Sequence, residues 1–180
     1  MRKSVSGFTL VELAITIALI ALLSMIGVVY YSGSQSRARD TKRAVDAKSI
    51  MDALSTYRAY NRVFPAANPN PGSGTFEVST DTTFLNSLQT VINNTSFKDP
   101  KDPTVATKGY WYRTFNAGDN GCPAAKGPYY VLWIKNMENQ TTGKIDSPDC
   151  PGITLFTSNP SPPANVWYNG PWGWVIVRFE

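Results

Sequence analysis

Lys3-Ser4-Val5-Ser6-Gly7-Phe8-Thr9-Leu10-Val11-Glu12-Leu13 opens an apolar run that continues to Tyr31. The 24 residues from Phe8 to Tyr31 hold one charge, Glu12, and no proline. As a helix rising about 1.5 Å per residue, the run reaches about 36 Å, enough to cross a hydrocarbon core of about 30 Å. Its Leu, Ile, Ala and Met content favours helix over strand. Glu12 is the anomaly, because a carboxylate at bilayer depth is costly and by default suspected of function.

The position of Gly7 suggests how that charge is met. A cut after Gly7 creates an α-amine on Phe8, four residues before Glu12 and on the same helix face. The pair can satisfy itself within one chain. Between chains, the amine of one Phe8 and the Glu12 of another would fix how far two helices slide, since breaking a buried ion pair costs about 3–5 kcal/mol.

A short basic leader ending in Gly, followed by Phe8-Thr9-Leu10-Val11-Glu12 and a long apolar run, resembles the class III signal of type IV pilins and of the pseudopilins of type II secretion. The resemblance implies cleavage between Gly7 and Phe8 by a prepilin peptidase, N-methylation of Phe8, and assembly of identical copies into a helical filament. Glu12 falls on the family's assembly glutamate. A platform protein and an assembly ATPase are implied as further partners. The expected location is the inner membrane for a single-pass precursor, then an extracellular or periplasmic filament. Ile50 to Tyr57 with Phe64-Pro65, and Gly109-Tyr110-Trp111-Tyr112 after an Asp-Pro turn, are similar to segments of pseudopilins. Many relatives carry a proline in the apolar half; here there is none.

Two plainer readings explain less. An ordinary secretory signal has an apolar region of about 7–15 residues before a small-residue cleavage site, shorter than this run. A simple anchor fits the length but gives no reason for Glu12 or for the Gly7-Phe8 junction. By the positive-inside count, Arg37, Arg39, Lys42 and Arg43 outweigh Arg2 and Lys3 and place the C-terminal side in the cytoplasm. The domain is nevertheless expected outside, because those cations lie some way past the run and the pilin-type signal is more specific.

Beyond Tyr31, the polar stretch Ser32-Gly33-Ser34-Gln35-Ser36 leads into Arg37 to Tyr60, which lacks Pro and Gly. Ala44, Ala47, Met51, Leu54 and Tyr57 recur at helical spacing, so residues 32–60 read as an amphipathic continuation of the first helix. Gly27 and Ser32-Gly33-Ser34 are its expected bending points. The cluster Arg37, Arg39, Lys42 and Arg43 reads as a solvated helix face that pairs with acids of neighbours. Nucleic-acid binding there is unsupported, because stacking aromatics are not interleaved.

Asn61 to Gly74 reads as a loop. Phe84, Leu85, Leu88, Val91 and Ile92 fit a short amphipathic helix capped by Asp81 or Thr82. Asp99-Pro100 and Asp102-Pro103 make turns. Strands are predicted at Tyr110 to Phe115, Tyr129 to Met137, Gly173 to Phe179 and, more weakly, Ile153 to Phe156. The predicted fold is therefore α+β and pilin-like: a long N-terminal α-helix, transmembrane then amphipathic, packed on a small antiparallel β-sheet. Its parts are a leader at 1–7, a transmembrane or filament-core helix at 8–31, the amphipathic helix at 32–60 and a globular domain at 61–180.

Cys122 and Cys150 form an even pair in a chain that reads as exported, so a disulfide is expected. The chain has no His, and its two Cys lack metal-ligand spacing, which leaves zinc chemistry and His-based catalysis without support. No cofactor and no catalytic residue is nominated, and the chain is read as a structural protein, not an enzyme. Asp119-Asn120-Gly121 reads as a turn, with too few oxygens nearby for calcium. Removing the leader lowers the formal charge from +4 by two, a weak argument for polyanion binding. All five Trp lie between Trp111 and Trp174. They are expected to fill a small core and seat neighbouring copies; an aromatic recognition surface on a membrane-anchored extracellular binding domain, carried by Trp167 and Trp172, is the alternative. Asn93, Asn94 and Asn139 match the glycosylation pattern, which says little by itself.

Overall fold

The computed structural model of the chain describes residues 7–68, 76–92, 97–105, 109–135, 137–139, 144–150 and 173–179. The chain falls into two units, residues 1–38 and residues 39–180. One helix, α1, covers Leu10–Asn61 and runs without interruption through Gly27 and Ser32-Gly33-Ser34. No proline removes a backbone donor along it, which is why the helical hydrogen bonds continue.

Within the 39–180 unit, five strands form one sheet: β1 (Glu77–Val78), β2 (Tyr110–Phe115), β3 (Tyr129–Lys135), β4 (Lys144–Asp146) and β5 (Gly173–Phe179), in the order β1-β2-β3-β5-β4. β1, β2, β3 and β5 pair antiparallel. β4 departs from the antiparallel expectation by adding parallel to β5, with Ile145 opposite Val175. The fold is α+β and pilin-like, as its sequence implies. β2 and β5 have the predicted bounds, and β3 covers Tyr129–Lys135, with Met137 outside it. The weaker strand at Ile153 to Phe156 lies outside the described residues, as do Trp167, Trp172, Asn93 and Asn94.

β3 is buried at all seven positions because it sits between two strands and both of its faces are covered. Side chains alternate across a strand, and the two sets enter different cores. Tyr130, Leu132 and Ile134 join Tyr110, Tyr112 and Ile176 against Ala47, Ile50 and Leu54 of α1. Val131 and Trp133, with Phe115, Val175 and Val177, fill the opposite face. Lys135 shares that second face, its Nζ 3.2 Å from the Trp111 ring centroid and 4.1 Å from that of Trp133. Burial pulls its pKa down to about 7.

Close approaches fix two glycines. Gly109 has φ +94°, and a Cβ there would meet Ser79 Oγ at 2.6 Å, an oxygen that accepts the Tyr110 N–H. A Cβ on Gly173 would meet Trp133 Nε1 at 2.6 Å. The predicted amphipathic helix after Asp81 is instead a 3-10 helix at Asn86–Thr90. Its apolar residues still point inward, Phe84, Leu85 and Leu88 being buried. Asp81 accepts the Thr83 N–H and so shapes the preceding turn, not a helix cap.

A disulfide joins Cys122 to Cys150 across 28 residues, against the second core. On the loop-entropy account a loop of that length stabilises by about 3.5 kcal/mol. Reduction, or Cys122→Ala with Cys150→Ala, should therefore lower the melting temperature of the 39–180 unit by several degrees in circular dichroism. An unchanged melt would show that the bridge constrains nothing the fold has not already fixed.

Candidate site at the start of the apolar helix

α1 begins one residue after Thr9, whose carbonyl accepts the Leu13 N–H at 3.2 Å. Thr9 is therefore the N-cap, and its side chain meets the first turn. The Glu12 N–H donates to Thr9 Oγ1 at 3.3 Å, and Glu12 Oε2 accepts the Thr9 N–H at 2.9 Å and the Thr9 hydroxyl at 2.7 Å. This is the reciprocal capping box, in which two backbone donors at the helix start are satisfied by the two side chains. The pattern Thr9-x-x-Glu12 before an apolar run is its sequence signature. The reading from the Phe8 amine alone passes over it.

In this uncut chain the Phe8 nitrogen is an amide and no hydrogen bond joins Phe8 to Glu12 among the described residues. Phe8 is 89% exposed, and so are the large apolar side chains that follow it, from Leu10 to Ile26. The most apolar 18-residue window of α1 has a mean hydropathy of 2.5, and none of it is buried. A contiguous apolar surface of that size is a surface made to be covered.

Residues 2–28 match the family model described as the prokaryotic N-terminal methylation motif. No curated protein and no solved structure matches the chain. With the fold, this supports a class: a type IV pilin-like precursor, whose signal is consistent with the type IV pilin and pseudopilin family. The motif implies processing by a prepilin peptidase and assembly from the membrane, fits a membrane-anchored precursor, and suggests a structural subunit in preference to an enzyme.

The basic cluster farther along α1 requires a correction. Arg43 is not on a solvated face; it is fully buried, 0% exposed. Its Nε and Nη2 donate to Asp99 at 2.7 and 3.1 Å, and its Nη1 to Asp40 at 2.7 Å and Glu138 at 3.1 Å. Arg39 clasps Glu138 through Nε and Nη2, both at 2.7 Å. Asp40 in turn accepts the N–H groups of Glu138 and Asn139, and Asp99 those of Lys101 and Asp102. Lys42 pairs with Asp46, which also accepts the Tyr110 hydroxyl at 2.8 Å. So Arg39, Lys42 and Arg43 pair with acids of their own chain, and two of them hold the loops at 99–102 and 137–139 against α1.

Burial alone works against every charge in this cluster, and the pairing more than offsets it. Arg43 is raised, its burial opposed by Asp99, Glu138 and Asp40. Glu138 is held down to about 2, chiefly by Arg39, against burial and with help from Arg43 and Lys101. Asp40 and Asp99 also end below the usual carboxylate range despite burial, Asp40 through Glu138 and Asn139, Asp99 through Arg43 and two backbone N–H groups. A carboxylate depressed in the folded state contributes stability that is complete above its unfolded pKa of about 4 and is lost as pH falls through the folded value. The 39–180 unit should therefore lose stability between about pH 4.5 and about pH 2, with Glu138 titrating at the low end of that window. Glu77, raised by burial despite the Leu85 and Asn68 N–H groups, acts in the opposite sense. Melting temperatures taken across that window check the sign; a flat profile would mean that the carboxylates titrate alike in both states.

Asp119 spends a carboxylate oxygen on the Asn116 N–H at 2.9 Å, inside a 3-10 turn at Asp119–Gly121. Among the described residues no group of three or more His, Cys, Asp or Glu is placed to hold a metal.

Proposed function

We infer that the chain is a structural subunit of a type IV pilus or pseudopilus-like filament, cut between Gly7 and Phe8, N-methylated on Phe8, and assembled from the membrane through its N-terminal helix. The observation that carries this reading is the methylation motif over residues 2–28, set on a helix whose apolar side chains are exposed from Phe8 onward. Lipid covers that surface in the precursor and other copies cover it in the filament; both remove it from water at about 25 cal/mol per Å².

The leader is residues 1–7, the membrane and filament-core segment 8–31, the amphipathic continuation 32–60 and the globular domain 61–180. In the precursor, the Glu12 carboxylate accepts hydrogen bonds from Thr9. Cleavage adds a cation to the same helix end, and that amine can meet the Glu12 of its own or of a neighbouring copy. The capping box supports this order of events, because it keeps the carboxylate at the helix start, where an incoming amine can reach it. A platform protein and an assembly ATPase complete the machinery, and the domain faces the extracellular or periplasmic side.

Mass spectrometry of the protein purified from its native membrane tests the reading. The N-terminal peptide is expected to begin at a methylated Phe8. A chain that still carries Met1 to Gly7 in its working form would leave only a tethered domain.

A further inference from the structure

A groove of about 940 Å³ opens in the 39–180 unit between the later turns of α1 and the β5 side of the sheet. That is the size of a typical small-ligand site. Phe64 and Trp174 line it, and Lys48, Arg58 and Arg62 stand along it from the helix side. None of these three cations forms an ion pair with a described residue, whereas Arg178 across the groove is taken by Asp146 at 2.8 Å.

Two features set this groove apart from an ordinary seam. Arg62 follows the last helical residue at φ +62°, with its N–H on the Arg58 carbonyl at 2.7 Å. That left-handed position after a helix is normally glycine's, and an arginine held there at a backbone cost points to a use for its side chain. Arg58 alone already complements the helix dipole. The second feature is Tyr130, 2% exposed, whose hydroxyl bonds no described residue. Tyr130 itself lines the groove, together with Asp52, Asp146 and Arg178.

We propose that this groove binds a carboxylate-bearing saccharide of the uronic- or sialic-acid type. Arg58 and Arg62 receive the carboxylate, for which the guanidinium fork is suited. The apolar face of a sugar ring lies on Trp174, and ring hydroxyls reach Asp52 and the Tyr130 hydroxyl, which between them accept and donate. Asp52 discriminates among anions by accepting from ring hydroxyls, donors that an acidic peptide's side chains do not offer. The proposal goes beyond the filament reading and is independent of it, because a single solubilised chain carries the whole groove.

The test is calorimetric titration of the full chain in detergent with tetragalacturonate, galactotetraose and tetraglutamate. Tetragalacturonate should bind at about millimolar concentration or below, with the neutral sugar and the peptide each at least about tenfold weaker. Arg62→Gly should lose about tenfold in affinity while melting no lower than the parent, since glycine suits the backbone there. Arg58→Gln should lose a comparable factor, which keeps the test decisive if Arg62→Gly alters the helix end. Absence of tetragalacturonate binding, equal binding of tetraglutamate or galactotetraose, or full affinity in both arginine variants overturns the proposal. So does light scattering that shows a dimer abolished by Arg62→Gly, since a second copy would then be the occupant.

Discussion

Arg43→Met is expected to melt about 6–20 °C below the parent, the shift that corresponds to about 3–5 kcal/mol in a unit of this size. The guanidinium is fully buried and donates to three carboxylates. Asp99, itself 1% exposed at its side chain, would keep two backbone N–H donors but lose its paired contact with the guanidinium. Glu138 would keep Arg39 and Lys101. The largest part of the loss thus falls on Asp99 and on the turn it holds at Lys101 and Asp102. Arg43→Lys should recover only a fraction, because an ammonium cannot span the positions that the planar fork occupies. Lys48→Ala, on the exposed side of the same helix, should change stability by less than about 0.5 kcal/mol. Thermal denaturation of the three variants decides the matter, and parental melting of Arg43→Met would mean that the cluster is a surface network without structural weight.

The second large effect is on assembly. Glu12→Val should abolish pelletable filaments while the 39–180 unit melts as before, since among the described residues the Glu12 side chain hydrogen-bonds to Thr9 and to nothing in that unit. Thr9→Ala removes the cap but leaves the carboxylate, at a cost typical of a lost N-cap of about 1 kcal/mol. It is expected to reduce filament yield without eliminating it. The ratio between the two variants separates the carboxylate's role toward other copies from its role in starting the helix. If both variants fail equally, the cap alone explains Glu12; if Glu12→Val still forms filaments, the register argument is wrong. Sedimentation and negative-stain electron microscopy give the readout.

The apolar run, the Gly7-Phe8 junction, and the strands at Tyr110–Phe115 and Gly173–Phe179 are written locally. Each depends on side-chain type and spacing within a few residues, and so can be read before any folding. Thr9-x-x-Glu12 was equally local; its signature is present and simply competed with a more conspicuous charge pairing. Arg43 is different. On a helical pattern it occupies a polar face, and nothing within a turn of it reveals that carboxylates 56 and 95 residues away will close over it. β4 is also non-local, because a three-residue strand has too few side chains to show a period, and its parallel pairing depends on where β5 already lies.

What the sequence determined by itself is the long apolar helix, the methylation motif that opens it and the positions of the long strands, because hydrophobic length and backbone preference act over short range. What only the tertiary structure decided is which charges are buried. That depends on whether partners from distant segments converge to offset desolvation, and in this chain Asp99 and Glu138 converge on Arg43.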